Sequence, residues 1–316
     1  MGSTALGWRS PTTGRAARTS NCWSRKPCVS ARNLRRECRQ RESKHALDRL
    51  LEAGSGPPVL FVPGSFSTHA AWRPMQKWLA PGYRMIGTSL CGYGATAATR
   101  GRDDFGMRHE LRSIEHAARR AGEPVHLVGH SFGGTVALAA ALANSIDVAS
   151  LSLFEANPLA LLDRQSRRNL YDAVLELSRE FSASVDAGEA DAAAMIIDFW
   201  GGPGTFATMP EAVRDYCRKT AATNAIDWLT DFGFGASVED YRALDIPVLL
   251  VRGEFANPAM VAMTDLLEQA LPDARGAIVD GAGHFLIATH AQKCAALLTR
   301  FLTVADAALP EPTMVA

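Results

Sequence analysis

Three hundred and sixteen residues, 47% of them hydrophobic and with a mean hydropathy of −0.03, suffice for one large domain or two smaller ones around a buried core, which excludes a mostly disordered chain. Lys and Arg together number 33, as do Asp and Glu, so the molecule lacks the basic field with which nucleic-acid binders neutralise phosphates. That balance hides two unlike parts: residues 1–49 hold twelve basic side chains against Glu37, Glu42 and Asp48, a surplus of +9, and the remainder carries −9.

Residues 1–49 are rich in Arg, Ser and small side chains, contain no acid before Glu37, and show neither a two-fold nor a 3.6-fold apolar period. They are expected to form a disordered, dispensable basic extension; a transit peptide or an arm for anionic surfaces are the alternatives. With no long apolar segment of the secretory kind, the cytoplasm is the default compartment, and an organelle is the alternative if the extension is a transit peptide. The cysteines, Cys22, Cys28, Cys38, Cys91, Cys217 and Cys294, include no Cys-x-x-Cys pair and lie near no cluster of histidines, so neither a metal site nor a disulfide framework is expected. The longest uncharged run, 124–146, is broken by Gly129, Ser131, Gly133 and Gly134 and reads as strand, turn and helix rather than a membrane span.

In chain order, the spacing predicts a strand over 59–62, a helix over 71–79, a strand over 83–88, a helix over 105–120 and a strand over 125–128. A helix over 132–143, a strand over 148–154, and then a strand over 248–251, a helix over 260–271, a strand over 276–279 and a helix over 292–302 complete the series. Such alternation predicts an α/β fold with a mostly parallel sheet and helices on both faces. Between residues 154 and 248 about ninety residues supply no convincing strand but show helical spacing over 170–181, 190–200 and 210–220. The expected organisation is therefore a core over 50–156, a helical cap over 157–240, the rest of the core over 241–305 and a tail over 306–316. The cap segment carries fourteen acidic and seven basic residues, read as a solvated outer face rather than a cation site.

Gly129-His130-Ser131-Phe132-Gly133 follows an apolar strand and opens a helix, the context in which Gly-x-Ser-x-Gly carries meaning. The turn holds the serine in a strained conformation, and flanking glycines remove the Cβ atoms that would strike strand and helix, leaving Oγ exposed at a helix N-terminus. Gly134 lets that helix approach the sheet closely. With this motif in this order of elements, the chain resembles the α/β-hydrolase superfamily from about residue 57 to residue 302. The resemblance implies that fold and Ser131 as nucleophile.

A serine needs a base to take its proton. His284, in Asp280-Gly281-Ala282-Gly283-His284-Phe285 between the last strand and the last helix, is similar to the superfamily's Gly-His loop and is the expected base. His130 should point away from the elbow, His126 should be a strand residue of core or edge, and His290 should lie near the surface. The sequence departs from the common pattern at the third member, because Gly253-Glu254-Phe255-Ala256 carries Ala256 where relatives place Asp. Glu155, directly after the strand that follows the nucleophile helix, resembles the acid of some haloalkane dehalogenases and is the first choice; Glu254 is the alternative.

Acyl transfer further needs donors aimed at the oxyanion. The amide of Phe132 is one; Pro63-Gly64-Ser65-Phe66, which resembles the family's His-Gly loop with Pro63 in place of His, supplies Ser65 as the second, or Phe66. His69, Trp200, Trp228 and Phe285 are candidate pocket residues, and Cys91, in a turn similar to the family's Gly-Tyr-Gly, is read as packing. These residues point to a serine hydrolase for a small, largely apolar ester, needing no cofactor and no metal. Carbon–carbon bond hydrolysis, lyase or perhydrolase chemistry with the same triad, and a non-catalytic receptor on the same fold, are the alternatives. Dehalogenation is disfavoured because relatives that perform it use a carboxylate nucleophile. The expected partner is a small-molecule substrate, with no nucleic acid and no membrane; oligomeric state is left open.

Overall fold

The computed structural model describes residues 51–79, 81–101, 103–122, 124–164 and 167–308, all within one unit, Arg41–Ala316. The basic extension expected over 1–49 and the end of the tail lie outside the described residues. Seven strands, β1 (Leu51–Ala53), β2 (Pro58–Val62), β3 (Arg84–Gly87), β4 (Val125–His130), β5 (Val148–Phe154), β6 (Val248–Gly253) and β7 (Ala274–Val279), form one sheet in the order β1-β3-β2-β4-β5-β6-β7. β1 is antiparallel to β3, and every other pairing is parallel. The fold class read from the alternation is thus the one observed.

Along β2, Leu60 and Val62 enter one core while Val59 and Phe61 enter another, the two-residue period of a strand covered on both faces. The first core is closed by α2 (Met107–Ala121), α3 (Phe132–Ala143) and, through Leu267 and Leu271, α10 (Pro258–Ala270) and the turn after it. The second is closed by Trp72 and Met75 at α1 (Arg73–Gln76), Leu286 and Ile287 of α11 (Leu286–Thr289), and Leu298 and Leu302 of α12 (Ala291–Ala308). Burying a side chain such as Leu298 contributes about 1.5–3 kcal/mol, so these two layers fix the sheet on which the site stands.

Among the described residues, the segment between β5 and β6 contributes helices and no strand: α4 (Ala160–Arg164), α5 (Arg168–Asp186), α6 (Ala193–Gly201), α7 (Thr205–Thr208), α8 (Glu211–Phe232) and α9 (Val238–Arg242). Val174, Phe181, Ile196, Trp200 and Trp228 join Met260 and Met263 of α10 in a third apolar cluster. α8 runs twelve residues beyond the 210–220 helix expected from spacing, because Asn224, Asp227 and Asp231 occupy buried positions and interrupt the apolar period. β1 escaped the sequence reading since three edge residues carry no periodic signal. The last helix continues to Ala308; Asp306, expected to open a tail, accepts a hydrogen bond from Tyr83 Oη at 2.8 Å and lies 2.8 Å from His126 Nε2. Among the described residues, no helix is long and apolar enough to cross a membrane, and no group of three or more His, Cys, Asp or Glu is placed to hold a metal ion.

Candidate active site

Ser131 sits between the end of β4 and the start of α3 with φ 53° and ψ −130°, a conformation that costs a non-glycine residue of order 1–3 kcal/mol. The neighbouring glycines make the turn possible. A Cβ on Gly133 would lie 2.2 Å from the Pro63 carbonyl oxygen, and one on Gly129 would lie 2.6 Å from the Cα of Gly134. Strand, turn and helix therefore meet at backbone contact, and Ser131 is left where the first amides of α3 are unpaired within the helix.

His284, 4% exposed, stands over this turn: its Nε2 is 3.1 Å from Ser131 Oγ and its Nδ1 is 2.7 Å from Glu155 Oε2. The second oxygen of Glu155 accepts the Gly253 backbone N–H at 2.7 Å. With both carboxylate oxygens accepting, Nδ1 of His284 is the protonated nitrogen and Nε2 faces the serine as an acceptor, the tautomer a base requires. Glu155 also has a positive φ, 48°, and its own N–H donates to Val251 at 2.8 Å, so the carboxylate is held where β5 and β6 end side by side. Glu254 is elsewhere: it accepts the Gly281 N–H at 2.8 Å on the exposed side of the loop.

The imidazole of His130 reaches beneath the loop, where its Nε2–H donates to the His284 carbonyl at 2.9 Å. Burial above all, then the positive charge that His284 can carry, pushes its pKa down to about 3, so it stays neutral and acts as a strut for the base. His126 is buried against Ser150 on β5, and half-buried His290 pairs with Thr289.

Phe132, Ser65 and Phe66 border the same small cavity as Ser131 and His284, a space of about 50 Å³. Phe132 opens α3, so its N–H is among the helix's first donors. The Ser65 hydroxyl is engaged with Asp227 at 2.6 Å, which leaves its backbone amide as the group able to meet an oxyanion. Trp200, Trp228 and Phe285 border the cavity as expected, joined by Ile196 and Ile197. His69 does not border it: it starts a short 3₁₀ turn capped by Thr68, with its backbone N–H on Ser89.

The sequence reading missed the polar wall. Asn224, Asp227 and Asp231 of α8 border the cavity and are at most 3% exposed, so part of the acidic insertion faces inward rather than to solvent. Their spacing of three and four residues, with Trp228 among them, is one helix face and was the available signal. Asp227 accepts from Tyr93 Oη at 2.5 Å and pairs with Arg100 at 2.6 Å, and Arg100 also pairs with Glu110 at 2.8 Å. Burial raises the carboxyls of Asp227 and Glu110, the latter to about 7, against the pull of Arg100. Glu110 also accepts the Cys91 backbone N–H at 2.9 Å, and the Cys91 thiol donates to the His109 carbonyl at 3.1 Å, which fits its reading as packing.

A serine against an imidazole at the carboxyl ends of parallel strands, roofed by a helical insertion, defines a hydrolase. The chain belongs to the alpha/beta hydrolase family, whose profile matches residues 59–297. It is 26% identical over 264 residues (81% of this chain, 87% of the relative) to 2-hydroxy-6-oxo-6-(2'-aminophenyl)hexa-2,4-dienoic acid hydrolase of Metapseudomonas resinovorans. Over 252 residues (77% of this chain, 96% of the relative) it is 27% identical to the pimeloyl-[acyl-carrier protein] methyl ester esterase of Aromatoleum aromaticum. Among solved structures, a thermophilic esterase from Thermogutta terrifontis superposes with a TM-score of 0.65 at 21% identity, covering 81% of this chain and 93% of that one.

Proposed function

We propose that the protein is a serine hydrolase that cleaves a small, largely apolar ester through a Ser131-His284-Glu155 triad and an acyl-enzyme. The observation that carries this reading is the His284 ring, set between Glu155 at 2.7 Å and Ser131 at 3.1 Å. As Oγ attacks the ester carbonyl, Nε2 takes its proton, and Glu155 stabilises the imidazolium that forms. The amides of Phe132 and Ser65 receive the oxyanion, a contribution of about 3–4 kcal/mol per donor in comparable sites. His284 then protonates the leaving alcohol, and water activated by the same nitrogen releases the acid.

The walls support an ester over a substrate that is itself an anion. Ile196, Ile197, Trp200, Trp228 and Phe285 are apolar over most of their surface, and no bordering residue is Lys or Arg. A free carboxylate would lie beside Asp227, whose cation, Arg100, is already shared with Glu110, a costly placement. This favours the ester reading over one that follows the dienoic acid hydrolase among the relatives. Fluorophosphonate labelling with peptide mapping tests the nucleophile: rapid modification at Ser131, together with loss of ester turnover in a folded Ser131→Ala variant, is expected. Turnover retained by that variant would overturn the mechanism.

A further inference from the structure

Three carboxyl groups, Glu110, Asp227 and Asp231, lie together at the end of α8 and beneath it, each no more than 2% exposed, and the Arg100 guanidinium pairs with the first two. Arg100 is fully committed: it pairs with Glu110 and Asp227 and donates to Thr230 Oγ1 and the Ile226 carbonyl. Asp231 is left out. Both of its carboxyl oxygens are buried without a well-formed hydrogen bond, the Leu159 amide lying nearby, and the residue borders the cavity that holds Ser131 and His284. A buried carboxyl whose oxygens lack well-formed hydrogen bonds costs free energy unless something satisfies it, and Asp231 borders the space in which a substrate would lie.

We propose that Asp231 is a cation subsite and that the esters this enzyme prefers carry a protonated amine. The inference rests on the esterase reading above and adds the chemical class of substrate. Trp200, Trp228 and Phe285 border the same space, and aromatic faces attract a desolvated ammonium by up to about 2 kcal/mol. A neutral acceptor on the substrate could satisfy only a hydroxyl of Asp231 and would leave the other oxygen idle, whereas a positive charge serves both. No Lys or Arg borders the cavity to compete with it. In the protein alone, burial first and then the neighbouring Asp227 charge raise the Asp231 carboxyl well above the usual range, opposed by the nearby Leu159 amide. The group therefore stays neutral until an ammonium arrives, and its proton then passes to solvent.

The test compares carbon isosteres near neutral pH: dimethylaminoethyl acetate against isopentyl acetate, and ethyl γ-(dimethylamino)butyrate against its dimethylmethine counterpart, so the amine is presented on either side of the ester. Each kcat/KM is divided by the alkaline hydrolysis rate of the same ester. In at least one pair the ammonium ester should be favoured about tenfold, and Asp231→Asn should bring that ratio back toward one. Inhibition of the wild-type protein by dimethylaminoethanol, compared with isopentyl alcohol, gives a second reading that needs no variant and should favour the amine. If Ser131 labels and the neutral esters are cleaved, but neither pair nor the inhibitors show a preference for the cation, the subsite is overturned and the esterase reading stands. A preference unchanged in folded Asp231→Asn also overturns it. Failure of labelling and of all four esters removes both readings.

Discussion

Replacing Glu155 by Gln exchanges one carboxylate oxygen for an NH₂ group and tests the acid's position. Glu155 accepts two hydrogen bonds at once, from Gly253 N–H at 2.7 Å and from His284 Nδ1 at 2.7 Å. A glutamine has one oxygen to offer. If that oxygen stays on the Gly253 amide, the NH₂ group faces Nδ1, which must become the acceptor; Nε2 then carries the proton and points a donor at Ser131, where a base is needed. If the amide flips, two N–H groups face each other at Gly253 and the charge that stabilises the imidazolium is still lost. Loss of tautomer and charge together should lower kcat about 10³–10⁴-fold, or about 4–5.5 kcal/mol of transition-state stabilisation. The buried mismatch should also lower stability by about 1–3 kcal/mol. Ester turnover by stopped assay, beside urea unfolding of the same preparation, separates the two effects. The paired control is Glu254→Gln, whose side chain meets Gly281 on the exposed face and should stay within a few-fold of wild type. Turnover of Glu155→Gln within tenfold of wild type, or a comparable loss in Glu254→Gln, would refute the reasoning.

Two further outcomes are expected. Gly133→Ala should destabilise the protein by about 3 kcal/mol or more, because the new Cβ would meet the carbonyl oxygens of Pro63 and Val62 at 2.2 and 2.7 Å; thermal unfolding measures it, and a loss under about 1 kcal/mol would contradict the backbone contact described. His130, held at about 3 against an ordinary 6.5 by burial and by His284, is neutral in the folded chain across a range where the unfolded chain takes up a proton. Its contribution to stability is therefore complete above pH 6.5 and is lost as pH falls toward 3, with a slope of up to about 1.4 kcal/mol per pH unit. In His130→Gln, which keeps an N–H for the His284 carbonyl, the acid limb of the stability profile should flatten; an unchanged limb counts against a buried neutral imidazole.

The sheet was legible because its central strands are covered on both faces and read as unbroken apolar runs between turn residues, as in 59–62 and 148–154. Ser131 and His284 were legible because glycines must surround a turn this tight, and the structure brings both beside Glu155. Two kinds of feature stayed hidden. Edge strand β1 is held by its partner β3 rather than by its own pattern. The buried acids of α8 look in sequence like any solvated helix face, since a carboxylate's burial depends on what lies opposite it, here Ser65, Tyr93 and Arg100 from segments more than a hundred residues away. His69 differs for the converse reason: it lies near the correct loop, but it starts a 3₁₀ turn with its backbone N–H on Ser89 and does not border the cavity.

The position of Glu155 also bears on how the chain assembles. Ser131 and Glu155 follow the ends of β4 and β5, which pair directly from His130 and Phe154 backward, with only α3 between them. The proposed nucleophile and acid thus belong to one strand–helix–strand unit whose contacts close a short stretch of chain, while His284 arrives from 129 residues beyond Glu155. Loop-closure entropy grows with the logarithm of loop length, so joining the proposed nucleophile and acid costs less entropy than joining either to His284, and a change in the length of the helical insertion would add little to that cost. An acid after β6 would place the insertion inside both long-range pairings; with the proposed acid after β5, the imidazole is the single member that follows the insertion in the chain.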